Sequence, residues 1–461
     1  MKNHTEAKAM SATTKYNNDT LELARKIRSG EFKVCVYGLG HVGAPLASAW
    51  LRAGGHLIGV DKSPDVLESA RKGRSHVNEP GVGEAFSRGL NEKRFYIYSD
   101  PISASQDSHF KLICVPVLLT DSFSADLAAV KQVASAIGRG LKKGDLVSLN
   151  PSVPPGTSED IVLPILESES GLKVEDDFYM VYNPERIYEG RAIEDLEERY
   201  PAILAGAGPK SLEIGARLYS LVAKKGVIKM DSLRAAETEK LLEGVYRDVN
   251  IALANEMAKL CERIDVDFWQ VREASNSQPY CHIHKPGAGV GGACIPIYPQ
   301  FILHAARLSG IECNLVRFGR ALNDSMPAYC VEQAIKLLGK KDISKSTIAL
   351  LGLSFRGDVS DTRLSPTYKV IDELKKLKVK AIRIHDPLVT SDHNLPKEIV
   401  LTSNLSNAIN EADLVMVIAD HTGYRNLTRK ELNDAPVYDA RGILDRTKFN
   451  ADSFSSIGRP S

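Results

Sequence analysis

Two doubly wound α/β lobes, joined by a helical middle that carries one long central helix, are the fold this 461-residue chain predicts. Three observations predict it. Short β-rich runs alternate with helical patterns over residues 31–230, and the alternation resumes over 341–461. Between the two, apolar residues recur at i, i+3 and i+4 spacing. A chain this long exceeds a single core and is expected to divide into two or three domains.

Residues 33–38 (Lys-Val-Cys-Val-Tyr-Gly) read as the first strand, followed by a helical pattern through Pro45, Leu46, Ala49, Trp50 and Leu51. Residues 56–60 form the second, and further strands are expected at 112–115, 146–149 and 179–182. From about Ser232 to Ser275 the apolar set Leu241, Leu242, Val245, Val249, Leu253 and Met257 predicts a helix without a breaker. Such a helix suits a spine or an oligomer interface. A helical stretch near 326–338 leads into the second lobe, whose strands are expected at 347–352, 381–384, 414–418 and 437–438. Residues 1–30 read as a flexible lead-in, because the first twenty are polar and lack the apolar core of a secretory signal.

Composition narrows the function. With 43% hydrophobic and 25% charged residues and a net charge of +1, nothing points to nucleic acid or a membrane surface as partner. No apolar run approaches the roughly 18 residues that span a bilayer. The seven cysteines (35, 114, 261, 281, 294, 313 and 330) are odd in number and contain no CxxC pair, which points to a reducing, cytoplasmic setting.

Gly38-x-Gly40-x-x-Gly43 lies between the first strand and its helix, and Asp61 follows Gly38 by 23 residues at the end of the second strand. That context is the dinucleotide fingerprint of a Rossmann-like lobe. One glycine turns the chain, the next admits a pyrophosphate, and the third packs helix on strand. The helix N-terminus at Val42–Gly43 meets the negative charge. Asp61 accepts ribose hydroxyls and repels a 2′-phosphate, which favours NAD over NADP, although neighbouring Lys62 weakens that preference. Downstream, Lys285-Pro-Gly-Ala-Gly-Val-Gly-Gly-Ala-Cys294 ends a loop carrying four glycines with a thiol. Glycines let a backbone wrap a ligand closely. Cys294 then reads either as a nucleophile beside redox chemistry or as a small buried hydrophobe.

Several motifs in order resemble the UDP-sugar 6-dehydrogenases of the UDP-glucose/GDP-mannose dehydrogenase family, from about residue 30 to 445. Besides the fingerprint they are Ile113-Cys-Val-Pro116, Ser152-Val-Pro-Pro-Gly156 and Asn183-Pro-Glu-Arg-Ile-Tyr-Glu-Gly190. Ala236-Glu-Thr-Glu-Lys240, the Cys294 loop, Gly352-Leu-Ser-Phe-Arg356 and Asp361-Thr-Arg-Leu-Ser-Pro366 complete the set. The resemblance implies oxidation of a sugar C6 alcohol to the acid with two NAD and no metal. Cys294 would form a thiohemiacetal and then a thioester. Lys240 would stabilise the oxyanions, Glu189 would activate the hydrolytic water, and Ser152 would take the place of a water-positioning threonine. Glu185 and Arg186 would shape the sugar pocket with Gly289, Gly291 and Gly292, and Pro116 would join the cofactor residues. Arg363 and Arg441 would contact phosphate or join lobes, or else form structural ion pairs.

Taken singly, these residues have ordinary readings: Lys240 as a solvated helix charge, Glu185 and Glu189 as a surface pair, Ser152 as a turn residue. The chain also departs from the family pattern. Gly244 stands where members carry Asn, and Tyr298 where they carry Asp. That opens a second reading, an NAD- and nucleotide-sugar-binding homologue without turnover. The segments 246–256 and 285–292 look nearer the branch that acts on UDP-N-acetylglucosamine or UDP-N-acetylmannosamine. Glu189 looks nearer the UDP-glucose branch. Cys281, His282 and His284 with Cys294 suggest a zinc set, but no second ligand pair with fitting spacing accompanies them, so no metal is expected. His282 and His284 are instead expected to line or support the sugar pocket. A homodimer or higher homo-oligomer built across the long helix is the expected assembly.

Overall fold

The computed structural model describes residues 19–460; the first eighteen residues, most of the expected lead-in, lie outside the described residues. Residues 19–29 are helical, and Ile27 is buried in the core that includes Val34 and Trp50. The chain divides between Leu241 and Leu242 into two compact units.

The first unit holds β1 (Lys33–Tyr37), β2 (His56–Val60), β3 (Phe95–Tyr98) and β4 (Phe110–Ile113). A small antiparallel hairpin follows, β5 (Leu118–Leu119) with β6 (Ala125–Asp126). Then come β7 (Leu146–Leu149), β8 (Tyr179–Tyr182), β9 (Ala202–Gly206) and β10 (Val227–Lys229). The eight-stranded sheet runs β10-β9-β8-β7-β4-β1-β2-β3, and all neighbours are parallel except β8 and β9. Its strands read as near-continuous apolar runs because both faces are covered. Val34 and Val36 pack into one core layer while Cys35 and Tyr37 pack into the other, the period of two expected of a pleat. On the first face Trp50 and Phe110, both fully buried, meet edge to face at 5.6 Å. Burying a phenylalanine this way contributes about 2–3 kcal/mol.

The helix Leu233–Arg263 begins in the first unit and continues into the second. The expected unbroken run to Ser275 is a correction: the helix ends at Arg263 and a separate one spans Phe268–Ser275. Asp265 adopts a left-handed φ of 60°, and the Asp267 side chain accepts from the Trp269 N–H at 2.8 Å, capping the new helix. Short acidic side chains stabilise such local turns over helix continuation, which apolar periodicity alone does not register.

Helices Tyr298–Leu308 and Asn314–Lys336 precede the second sheet. Its strands are β11 (Thr347–Leu351), β12 (Ala381–His385), β13 (Val400–Thr402), β14 (Leu414–Val417), β15 (Val437–Asp439) and β16 (Phe454–Ser456). All are parallel in the order β13-β12-β11-β14-β15-β16. Ile348 and Leu350 face one core, Ala349 and Leu351 the other. The chain end docks on the short helix, with Trp269 Nε1 donating to the Ile457 carbonyl and the Phe268 N–H to that of Gly458, each at 2.8 Å.

Candidate active site

In the first unit, Tyr37 pairs with Val60, so Gly38 and Asp61 leave the sheet side by side. The Gly38 N–H donates to the Val60 carbonyl at 2.7 Å. Asp61 Oδ2 accepts from the Leu39 N–H (2.8 Å) and Oδ1 from the Ser63 N–H (2.9 Å), which aims the carboxylate while leaving lone pairs for hydroxyls. A Cβ at Gly43 would overlap the Gly38 carbonyl oxygen, so only glycine lets the helix Gly43–Arg52 start this close to β1. At Gly40, by contrast, a Cβ would meet nothing within 4 Å. Val42 is the helix N-cap, with no side-chain cap and no acidic residue in the first turn; the Ala44 N–H is taken by the Gly40 carbonyl at 2.9 Å and Pro45 has none, so it is the positive end of the helix dipole that favours an anion here. Exposed Pro116 follows β4 on the other side of β1, where the strand order reverses. Space, helix dipole and acid together fit a dinucleotide.

Two loops and the start of the helix Leu233–Arg263 carry the other predicted residues of this unit. Ser152, partly buried, follows β7, and Asn150 Nδ2 ties that loop to β8 through the Asn183 carbonyl at 3.0 Å. Fully buried Glu237 accepts from the N–H groups of Gly156 (2.5 Å) and Ser158 (2.8 Å). Burial pushes its carboxyl up to about 7, against the pull of the Ser158 hydroxyl and these two N–H groups. Three residues further along the motif, Lys240 Nζ lies 3.6 Å from Glu185 Oε1, both largely buried. The other Glu185 oxygen accepts from the Ile187 N–H at 3.0 Å. The structure thus brings Lys240 and Glu185 together, which neither a solvated lysine nor a Glu185–Glu189 surface pair accounts for. Glu189 sits in a loop held by Glu79, whose carboxylate accepts from the N–H groups of Gly190 (2.8 Å) and Ala192 (2.6 Å). The Arg186 guanidinium lies 5.5 Å over the Tyr200 ring.

In the second unit, the glycine loop rests on a buried polar chain. The Gly287 N–H donates to Asn255 Oδ1 (2.8 Å), Asn255 Nδ2 to Asn323 Oδ1 (2.9 Å), and Asn323 Nδ2 to Asp248 Oδ1 (2.8 Å), which Arg320 Nη1 also reaches at 2.5 Å. These four polar side chains are almost fully buried, so removing any one orphans its neighbours. Pro327 lies inside the helix Asn314–Lys336 and supplies no N–H to the Asn323 carbonyl. That carbonyl and the Pro327 ring lie under Gly289. Gly291 packs against Leu364, Phe355 and Pro366, and the Gly292 N–H donates to the Arg363 carbonyl at 2.9 Å. At the loop's end Cys294 is exposed, which removes the buried-hydrophobe reading. Its carbonyl accepts from the N–H groups of Ile297 and Tyr298, both at 3.0 Å.

Arg363 forks onto Asp361, with Nε 2.9 and 2.8 Å from the two oxygens. Arg441 lies beside Gly287 and pairs with Asp420 at 3.1 Å. Burial pushes the Asp420 carboxyl up, but Arg441 and the Gly357 N–H hold it lower, at about 2. The His284 ring packs edge-on against Tyr246 at 6.2 Å, and the residue's backbone N–H donates to Asn250 Oδ1 at 2.8 Å. Burial, then the positive charge of Arg247, pulls the ring down to about 4, so it is neutral at pH 7. Among the described residues no group of three or more His, Cys, Asp or Glu could hold a metal ion.

Glu79, Glu237, Asp248, Asn255, Asn323 and Arg320 went unnoticed in the sequence. Glu237 lies inside the motif 236–240, and Asp248 and Asn255 inside the segment 246–256, but their roles carry no local pattern, since the partners that define them lie 32 to 113 residues away.

Models of three domains of the UDP-glucose/GDP-mannose dehydrogenase family match in order: the NAD binding domain over residues 32–223, the central domain over 234–325 and the UDP binding domain over 349–446. The UDP-N-acetyl-D-mannosamine dehydrogenase of Pyrococcus horikoshii is 30% identical over 433 residues, 93% of this chain and 99% of the relative. An NDP-N-acetyl-D-galactosaminuronic acid dehydrogenase of Ralstonia nicotianae is 31% identical, covering 91% and 97%. The solved P. horikoshii UDP-D-ManNAc dehydrogenase superposes with a TM-score of 0.86 at 29% identity, over 93% of this chain and 99% of that one. A UDP-glucose dehydrogenase from Pyrobaculum islandicum gives 0.83 at 26%, over 92% and 98%.

Proposed function

The chain belongs to the UDP-glucose/GDP-mannose dehydrogenase family of NAD-dependent oxidoreductases, and we propose that it oxidises the C6 hydroxyl of a UDP-N-acetylhexosamine to the uronic acid. UDP-N-acetylmannosamine is the first candidate and UDP-N-acetylglucosamine the second, in keeping with relatives named for N-acetylated sugars. The observation that carries the reading is Cys294, exposed at the end of a glycine loop that a buried polar chain holds in place.

Bound NAD would take a hydride from C6 in each of two oxidations, and Gly38, Gly40, Val42, Gly43, Asp61 and Pro116 would hold it. Cys294 adds as a thiolate to the C6 aldehyde, giving a thiohemiacetal whose oxidation leaves a thioester. Water, activated by Glu189 and positioned by Ser152, attacks the thioester carbonyl; the C–S bond breaks and the carboxylate leaves a free thiol. Lys240 stabilises the oxyanions, and its ion pair with Glu185 supports that role by keeping an ammonium in a largely buried place. Glu185 and Arg186 shape the sugar pocket, while Arg363, Arg441 and Gly289, Gly291 and Gly292 contact the nucleotide sugar. The long helix exposes Leu242, Tyr246, Leu253 and Leu260, which supports a homodimer across it, checked by light scattering. Seven free cysteines support a reducing, cytoplasmic setting, and no described helix is long and apolar enough to cross a membrane.

A panel of UDP-sugars with NADH counted per sugar tests the proposal. The expected result is two NADH per UDP-N-acetylhexosamine and loss of the acid product in Cys294→Ala. Preference for UDP-glucose would move the substrate to the other branch. No NADH with any sugar would leave a binding homologue without turnover, and one NADH that survives thiol alkylation would replace the thioester route.

A further inference from the structure

Gly244 sits in the interior of the helix Leu233–Arg263, where glycine neither caps nor turns and lowers helix stability relative to alanine. What it accommodates is the ring of Tyr298. An ideal Cβ at 244 would lie 2.5 Å from Tyr298 Cδ2 and 3.2 Å from its Cβ and Cγ. Rotating the ring would not relieve this, because the side-chain stem is also too near. The absent side chain therefore lets an aromatic ring lie directly on the helix backbone, and Tyr298 is buried there.

Tyr298 is also the first residue of the helix Tyr298–Leu308, and its N–H holds the Cys294 carbonyl at 3.0 Å, jointly with that of Ile297. One side of the Cys294 turn is thus fixed by the seat of this ring. The other side is fixed where the Gly292 N–H meets the Arg363 carbonyl at 2.9 Å. We propose that Gly244 and Tyr298 form a size-matched pair, and that Tyr298 is a positioning residue that sets the presentation of the Cys294 sulfur. The replacements at Gly244 and Tyr298 are then one compensated change: the small residue makes room for the large one. Its consequence for turnover rests on Cys294 being the nucleophile; the packing itself does not.

The test is a double-mutant cycle read at Cys294. Iodoacetamide labelling of the Cys294 peptide is followed by mass spectrometry across pH, since Cys281 and Cys313 are partly accessible too. Gly244→Ala is expected to change the labelling rate at least tenfold and to move its pH profile. The same substitution in a Tyr298→Ala background is expected to change it less than twofold, because the obstructing ring is gone. Tyr298→Phe is expected within twofold of wild type, since the ring and not the hydroxyl fills the seat. Additive effects, a wild-type rate in Gly244→Ala, or equal losses in Tyr298→Phe and Tyr298→Ala would overturn the proposal. Should Gly244→Ala fail to fold, the phenylalanine and alanine variants at 298 decide alone: alanine altered tenfold with phenylalanine unchanged supports it, and alanine at the wild-type rate overturns it. Full turnover by Cys294→Ala would sink the nucleophile reading without touching the labelling cycle, so the two failures are distinguishable.

Discussion

The first turns of the two sheets use one backbone device to opposite ends. In the first unit Tyr37 pairs with Val60, Gly38 donates to the Val60 carbonyl at 2.7 Å, and Leu39 donates to Asp61 at 2.8 Å. In the second, Leu351 pairs with His385, Gly352 donates to the His385 carbonyl at 2.7 Å, and Leu353 donates to Asp386 at 2.8 Å. There the likeness stops. Asp61 is partly exposed and takes two backbone N–H groups. Asp386 is fully buried and takes four, from Leu353, Ser354, Leu388 and Val389, together with His421 Nε2 at 3.2 Å. His421 Nδ1 accepts from the Asp358 N–H, which places the ring proton on Nε2, facing Asp386 and Ser354. At Gly40 there is open space; at Gly357 a Cβ would overlap the Asp420 carbonyl. A strand, a glycine and an acid therefore do not make a dinucleotide site; an acid with lone pairs to spare and an uncovered turn do.

Breaking the saturated acid should cost most. Asp386→Ala leaves four N–H groups and an imidazole without their acceptor, and an unfolding loss of about 3–5 kcal/mol is expected in urea titration, with NAD affinity unchanged. Next comes pH, where the two units oppose each other. Glu237, raised by burial to about 7, binds its proton more tightly folded than unfolded. Stability should therefore fall as pH rises from about 4.5 to about 7, by on the order of 3 kcal/mol, and the slope should vanish in Glu237→Gln. Asp386 has the reverse sign: burial pushes it up, but the His421 ring and the Ser354 and Leu388 N–H groups hold it well below the usual carboxylate range. Its contribution is present above its ordinary value and lost as acid protonates it. Gly43→Ala, which drives a methyl into the Gly38 carbonyl, should cost about 2 kcal/mol and weaken NAD binding more than tenfold by calorimetry. Smallest in stability is Asp61→Ala, about 1 kcal/mol, with NAD binding weakened roughly tenfold and discrimination against NADP reduced. An equal loss of stability in Asp61→Ala and Asp386→Ala would erase the distinction between the two turns.

Much of this was legible in the chain itself. Strands buried on both faces announce themselves as apolar runs, so 146–149 and 179–182 coincide with β7 and β8, while the expected 112–115 sits two residues late against Phe110–Ile113. β10, β13 and β16, three residues each, went unread, as did β3 and β9, although the equally short β15 was expected at 437–438. The fingerprint glycines, Asp61, Lys240, Glu185 and Cys294 were readable because their chemistry comes in local motifs. The pairing of Lys240 with Glu185, 55 residues apart, was not.

From the sequence alone came nine of the sixteen described strands, the cofactor fingerprint and the candidate thiol, because each depends on residue types within one or two turns of backbone. Only the tertiary structure decided that Asp386 is saturated while Asp61 is not, that Glu79 and Glu237 hold the loops, and that Gly244 answers Tyr298. Those outcomes depend on which groups meet across long loops. A periodic pattern reports the face a side chain turns to, but not what lies opposite it.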